Sequence, residues 1–505
     1  MLLVTDRVRV TVLGCVTSEP PESEDRRAAI DPIDDPEVAP QTPSGALAKG
    51  AVSSPEPGPT GRGAAAGEIW RLSWPIMLSQ ILVTAVGLID IAMVGRLGPD
   101  SVAAVGYATQ FFFMTQSALF AVGFACVALM ARAIGAGQLT VARQSMAASL
   151  IVAVSTAGVV ATVVLARPRA LLGLLNAESH VVELCIPYME LVLGATLLLA
   201  ISLVVESALR ADRDTVTPMR VAAIVAIVKT VLNALLIFGM FGFPRLELAG
   251  AGLATVLSQG VGVVMLWRAA LRVRQDSPVR LSWADARSCH RLLRRVGALA
   301  APGVAERVIL NLALLSYFAI LGTYGTAAVA AYTVGVRALS FSWIPGIGFQ
   351  GAVATLVGQS LGAGDREQAI RTGNIAVAMA LGVAIVLGFV AAGAHRPIAG
   401  AFTTDPATIA ALGPFLLVLA IAQPMLQAHF TLAGVHRGAG DTWTPLLAAA
   451  VGNWGFRVPM AFVLARVFHV ELAWLWFPLV FDHTARAAWL GWSYRRGGWS
   501  ERVGA

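Results

Sequence analysis

The segment Ala147–Ala166 reads AASLIVAVSTAGVVATVVLA, twenty residues without a charge. As an α-helix rising 1.5 Å per residue it would measure about 30 Å, the depth of a bilayer's hydrocarbon core. A surface like this has nothing to solvate it in water and needs nothing in lipid. The rest of the 505-residue chain has the same character: 57% of its residues are hydrophobic and only 13% charged, where a soluble domain carries roughly 25% charged residues. The chain is therefore read as an all-α integral membrane protein. From Glu68 onward the apolar pattern predicts twelve transmembrane helices, at about 69–94, 104–130, 143–166, 181–208, 218–240, 247–269, 296–321, 328–357, 369–393, 408–433, 445–467 and 472–494. Breaks fall at Gly98-Pro99, Pro168, Pro244 and Pro406, and Thr217-Pro218 and Thr444-Pro445 read as caps followed by proline at the first helical position.

A net charge of +7 does not form a nucleic-acid surface, because nearly all the basic residues are arginines placed between apolar segments. The two lysines are Lys49, ahead of the first span, and Lys229, inside the fifth. If both termini are cytoplasmic, loops on that side hold roughly twenty arginines and the opposite loops about six, as the positive-inside rule requires. A multi-pass plasma-membrane protein follows, as in a bacterial inner membrane. Residues 1–66, rich in Pro, Glu, Asp and Ser, are expected to be a disordered tail. Its opening MLLVTDRVRVTVLGC is a poor signal peptide, since Asp6, Arg7 and Arg9 interrupt the apolar run. Residues 67–267 would form a first lobe, 268–295 a basic cytoplasmic connector, 296–496 a second lobe and 497–505 a short tail. Cys15, Cys126, Cys185 and Cys289 show no paired spacing, so neither a disulfide framework nor a metal site is expected.

The two lobes are copies. A shift of 227 residues lays Pro75 on Pro302, Gly135-Ala136-Gly137 on Gly362-Ala363-Gly364, Pro187 on Pro414, Arg210 on Arg437, Asp214-Thr215 on Asp441-Thr442 and Thr217-Pro218 on Thr444-Pro445. Alanine and valine match easily by chance in such a chain; proline and aspartate at one fixed offset do not. Six spans separate the copies, an even number, so both insert the same way round. They form parallel repeats about an axis along the membrane normal, with a substrate path between them.

These residues resemble a known family. Trp74-Pro75, Leu88-Ile89-Asp90-Ile91-Ala92-Met93-Val94-Gly95, Gly135-Ala136-Gly137 and Leu209-Arg210 with Asp214-Thr215-x-Thr217-Pro218 are similar to the multidrug and toxic-compound extrusion (MATE) family. The second copy, with Gly325-Thr326-x-Ala328-Val329-Ala330-Ala331-Tyr332 and Val357-Gly358-Gln359-x-Leu361-Gly362-Ala363-Gly364, looks closer still. The resemblance covers residues 68–496. It implies two six-helix bundles forming a V-shaped cavity, and secondary active export of organic cations or amphipathic compounds against protons or sodium.

An ionisable group in the membrane costs about 2.5–3.5 kcal/mol, so each is a functional candidate. Asp90, late in the first span, matches the family's N-lobe acid, the expected proton or sodium site. Lys229 and Asn233, spaced i, i+4 on the fifth span, share a face. Many relatives carry Asn and Asp there; a lysine in that position puts a sodium site in doubt and favours protons. In the second lobe, Glu306, Arg307, Arg457, Asp482 and Arg486 are expected to form an ion-paired polar network. Glu206 and Arg337 are weaker candidates. Tyr107, Phe111, Tyr332 and Trp343, on the second and eighth spans, are expected to line the substrate cavity and to bind flat cations by stacking.

A catalytic role is rejected: the chain has no GxSxG, no HExxH and no phosphate-binding loop, and His429 and His483 stand alone among the spans. No cofactor is expected beyond the coupling ion, H+ or Na+, and the partners expected are small molecules and the bilayer, with the chain a monomer. A lipid-linked precursor flippase on a related scaffold is the competing reading. A major-facilitator carrier is disfavoured because the short loop between spans two and three lacks that family's acidic, Arg-rich signature.

Overall fold

The computed structural model describes residues 61–175, 177–272, 277–402 and 405–500. The expected tail lies outside the described residues for its first sixty positions, as do the last five residues of the chain. Twelve long helices follow one another among the described residues: α1 (Arg62–Val94), α2 (Pro99–Gly135), α3 (Leu139–Ala166), α4 (Ser179–Ala211), α5 (Val216–Phe238), α6 (Glu247–Arg272), α7 (His290–Leu321), α8 (Thr326–Gly362), α9 (Arg366–Gly393), α10 (Pro406–Gly438), α11 (Trp443–Arg466) and α12 (Pro478–Arg496).

Several helices outrun the apolar segments that announced them. The α1 helix begins at Arg62 rather than near 69, because Ala64, Ala65 and Ala66 are strong helix formers that extend the rod. The α7 helix starts at His290. Ahead of it the connector is partly ordered, as a short helix Trp283–Ser288 with a capping box: Ser282 Oγ accepts from the Asp285 backbone N–H at 3.3 Å, and the Asp285 carboxylate accepts from the Ser282 N–H at 3.0 Å. Asp285 also faces Arg143 of α3 at 3.5 Å, which ties the connector to the first lobe.

Eleven of the helices are long and apolar enough to span a membrane. The exception is α12, which carries Asp482, His483 and Arg486; all three are buried, so its polar groups face protein. The duplication seen at 227 residues recurs in the backbone. Short helices Pro168–Leu174 and His395–Phe402 begin at equivalent positions, and the single turns Gly95–Leu97 and Gly322–Tyr324 are each followed by a positive-φ glycine, Gly98 at 114° and Gly325 at 93°.

Within the N-lobe α4 packs between α2, α3 and α6; within the C-lobe α10 packs between α8, α9 and α12. The lobes meet where α8 crosses α1 and α2, and where α7 lies on α2 and α3. At that crossing the repeated glycines face each other's helix. A Cβ on Gly135 would overlap the backbone of Gln359, and one on Gly362 would overlap the backbone of Arg132. Glycine is required at both positions because backbone meets backbone.

Gly135→Val or Gly362→Val is therefore expected to lower stability by about 1–3 kcal/mol through overpacking. Gly297→Val, where nothing stands within 4 Å of a new Cβ, serves as control. Melting temperatures of the purified variants in detergent check this; equal values for all three would remove the crossing as a determinant of the fold.

Candidate functional site

Asp90 lies one turn from the end of α1, and its carboxylate is held from α5. The Lys229 ammonium pairs with Asp90 Oδ2, and Asn233 Nδ2 donates to Oδ1 at 2.5 Å. Lys229 and Asn233 reach the same carboxylate because they sit one helical turn apart. The side chain of Asp90 is 25% exposed and that of Lys229 18%, so the carboxylate is partly uncovered while already charge-balanced. The structure thus brings together all three residues predicted for the N-lobe. Among the described residues no group of three or more His, Cys, Asp or Glu side chains could hold a metal ion.

The C-lobe residues fall into two clusters rather than one network. Arg486 grips Asp482 with two bonds of 2.6 and 3.0 Å, and Arg457 approaches the same carboxylate at 3.6 Å. Arg457 also donates to the Tyr332 hydroxyl at 2.7 Å and lies over the Tyr317 ring at 4.9 Å. Glu306 belongs elsewhere: it accepts from Arg437 of α10 at 2.7 Å, and among the described residues Arg307 joins neither cluster by an ion pair. Arg437 was visible in sequence only as the repeat of Arg210, which pairs with Glu206 at 2.9 Å.

The two lobes carry related pairs in different chemistry. The counterpart of Asp90 under the 227-residue shift is Tyr317, and that of Lys229 is Phe456. In α11 the stretch Val451–Arg457 is a π-helix, whose wider turn takes in one extra residue. Arg457, one position beyond Phe456, therefore occupies the place facing Tyr317. Gly452 makes room in this turn, since a Cβ there would meet the Arg486 side chain at 2.8 Å. Asp482, which supplies the missing negative charge from α12, is completely buried, at 0% exposed. Nearby, His429 and His483 do not stand alone: their rings stack 5.0 Å apart between α10 and α12.

Of the four aromatic residues predicted to line the cavity, three are partly buried and one is fully buried. Tyr107 and Phe111 pack on an N-lobe cluster around Tyr188 and Met189, and Trp343 on a C-lobe cluster. Tyr332 is 1% exposed and sits inside that C-lobe cluster, with Tyr317, Phe318, Phe415 and Trp476 around it. Its hydroxyl is committed to Arg457, which is why the ring turns inward; it does not line a substrate surface here.

A third polar assembly, not singled out in the sequence, bridges the lobes beside the glycine crossing. Thr355 of α8 donates to the Arg210 carbonyl at 3.1 Å, and Gln359 Nε2 donates to the Ala211 carbonyl at 2.7 Å. Arg213 returns a bond from Nε to Gln359 Oε1 at 2.5 Å and reaches Glu68 of α1 at 2.7 Å. Arg437 lies over the Phe124 ring of α2 at 4.6 Å. Arg213 has φ +64°, where its repeat counterpart is Gly440 at +83°; a side chain in this region costs about 1–2 kcal/mol. An arginine where the other copy keeps glycine was the signal available in the sequence. Beside it, burial and the neighbouring Asp214 carboxylate push Asp212 up to about 6, with Arg213 opposing them.

The MatE family profile matches twice, at residues 75–235 and 302–463, and the two matches start 227 residues apart, as the internal repeat requires. The chain belongs to the MatE family of transporters. The probable multidrug resistance protein NorM of Thermotoga maritima is 27% identical over 438 residues, covering 86% of this chain and 93% of the relative. That of Bradyrhizobium diazoefficiens is 30% identical over 418 residues, covering 80% and 87%. Among solved structures, the MATE transporter VcmN of Vibrio cholerae superposes with a TM-score of 0.82 at 21% identity, over 88% of this chain and 99% of that one. A MOP-superfamily transporter from Pyrococcus furiosus gives 0.80 at 21% identity, over 87% and 97%. These likenesses establish the MatE fold of two six-helix bundles around a V-shaped cavity, in a protein that is not an enzyme.

Two outcomes follow for this MatE chain. Asp482→Leu leaves Arg486 and Arg457 buried without a counter-charge and is expected to cost about 3–5 kcal/mol, with Asp482→Leu/Arg486→Met recovering part of it. Thermal melting in detergent reads both. Because Asp212 is raised when folded, its contribution is complete below its unfolded value and is lost as pH rises through about 6. Asp212→Asn should therefore flatten the fall in melting temperature between about pH 4 and 6.

Proposed function

We propose that this chain is a multidrug efflux transporter that exports organic cations or other amphipathic compounds by antiport with protons. The observation that carries the reading is the partly exposed Asp90 carboxylate shared by Lys229 and Asn233. A proton arriving at Asp90 neutralises it and releases the Lys229 ammonium, loosening α1 from α5. A cationic substrate near the same oxygen competes with both. Proton and drug thus exclude one another at one carboxylate, the condition an exchanger needs. Sodium is the less favourable ion, because the ammonium already occupies the positive position and repels a second cation at close range. The names of the NorM relatives support the multidrug reading.

Two lobes on one chain supply both walls of the path, so the working unit is a monomer. The arginine bias supports a plasma-membrane protein with both termini in the cytoplasm. The lobes are then closed towards the cytoplasm and the cavity faces outward.

In inverted vesicles, an imposed proton gradient should drive uptake of a fluorescent organic cation, and Asp90→Asn should reduce the initial rate to background. Lys229→Met should leave binding of the cation in place but shift the pH dependence of transport. Wild-type rates in Asp90→Asn would take this carboxylate out of the mechanism; uptake under a sodium gradient alone would reassign the coupling ion.

A further inference from the structure

Ion coupling at Asp90 leaves unexplained the polar assembly at the other end of the molecule. Arg213 keeps a left-handed backbone, φ +64°, at the place where the second copy uses glycine. Its guanidinium is half-buried and makes two bonds to different helices, 2.7 Å to Glu68 of α1 and 2.5 Å to Gln359 of α8. Glu68 and Arg213 both belong to the N-lobe; Gln359 belongs to the C-lobe. Gln359 is also fixed to the Ala211 carbonyl at 2.7 Å, and Thr355, one turn earlier on α8, to that of Arg210 at 3.1 Å. All of these lie beside the Gly135–Gly362 crossing, where the helices touch backbone to backbone. The cavity bordered by Glu68, Arg213, Ser360 and Gln368 offers about 20 Å³ of space for water, room for one molecule and far too little for a drug. The lobes are sealed at this end.

We infer that Arg213 is the latch of an inner gate: by bridging Glu68 to Gln359 it holds the two lobes shut, and it must release Gln359 whenever the transporter opens on the side of the chain's N-terminal end. This rests on the alternating-access reading above. The arrangement is suited to reversible closure. Arg213 stays paired with Glu68 when Gln359 departs, so opening leaves no lone buried charge behind. Gln359 is uncharged and bears both a donor and an acceptor, so it can exchange its two partners for water without an ionic penalty. The left-handed backbone aims the side chain across the interface, which explains why a strained residue stands where glycine would fit.

Spin labels at the exposed, repeat-equivalent positions Thr140 and Glu367, in a cysteine-free background that melts like the wild type, report the opening of this end by double electron–electron resonance. Arg213→Gly removes the latch and suits the backbone; Gln359→Ala removes it from the opposite lobe. Each is expected to raise the long-distance population at least threefold over the unmodified latch, and Arg213→Lys to give an intermediate value. Unchanged distance distributions in both Arg213→Gly and Gln359→Ala overturn the inference. The measurement needs neither substrate nor gradient, so the two readings fail separately. If the labels move apart but no cation is transported by the wild type, the efflux reading falls and the latch stands. If transport is present and the labels do not move, the latch falls alone.

Discussion

At three points in this bundle a buried or half-buried carboxylate is met by a cation or an amide, and these points constrain how the helices pack. Asp90 has Lys229 and Asn233, Asp482 has Arg486 and Arg457, and Glu306 has Arg437. Each of these pairs joins two helices or locks one turn to its neighbour. Taking one partner away leaves the other without water or counter-charge, at a cost of several kcal/mol. The helices are held in fixed rotation by these points; the alanine- and valine-rich surfaces between them permit many rotations.

The asymmetry between the lobes follows from how each copy met that requirement. The N-lobe keeps an acid on α1, partly exposed and paired with a lysine. In the C-lobe the same position is Tyr317, and the acid has moved to α12, where it is fully buried and doubly held by arginine. A lysine ammonium is a point charge on a flexible stem; a bidentate guanidinium is a planar clamp. The partly exposed acid is thus met by a point charge and the buried one by a clamp. The π-helical turn at Val451–Arg457 is the local device that makes the second arrangement fit. It shifts the cation by one residue, so that a duplicated helix presents arginine where its twin presents lysine.

Closure at one end combines two kinds of contact. The glycine crossing brings α2 and α8 to backbone distance, which excludes water and leaves no space for side chains to adapt. Around it, hydrogen bonds from Thr355 and Gln359 to the last carbonyls of α4 give the contact a definite register. Apolar packing alone would let the lobes slide. Polar bonds to backbone carbonyls fix them in one place and dissolve into water when they part.

The amino-acid sequence by itself determined the class, the duplication and the partners of Asp90. Span length and the 227-residue offset are local or arithmetic properties, readable without knowing any contact. Lys229 and Asn233 were legible as a pair because helical periodicity puts i and i+4 on one face, and Asp482 with Arg486 for the same reason. Tertiary structure alone decided that Glu306 meets Arg437, 131 positions away, rather than the Asp482 cluster, that Tyr332 turns inward to Arg457, that His429 stacks on His483, and that Arg213 crosses to Gln359. These depend on how far each helix is rotated and slid against its neighbours. Rotation is fixed by the ion pairs, and also by interlobe glycines and a π-turn whose effects accumulate along the rod and leave no periodic mark in the sequence.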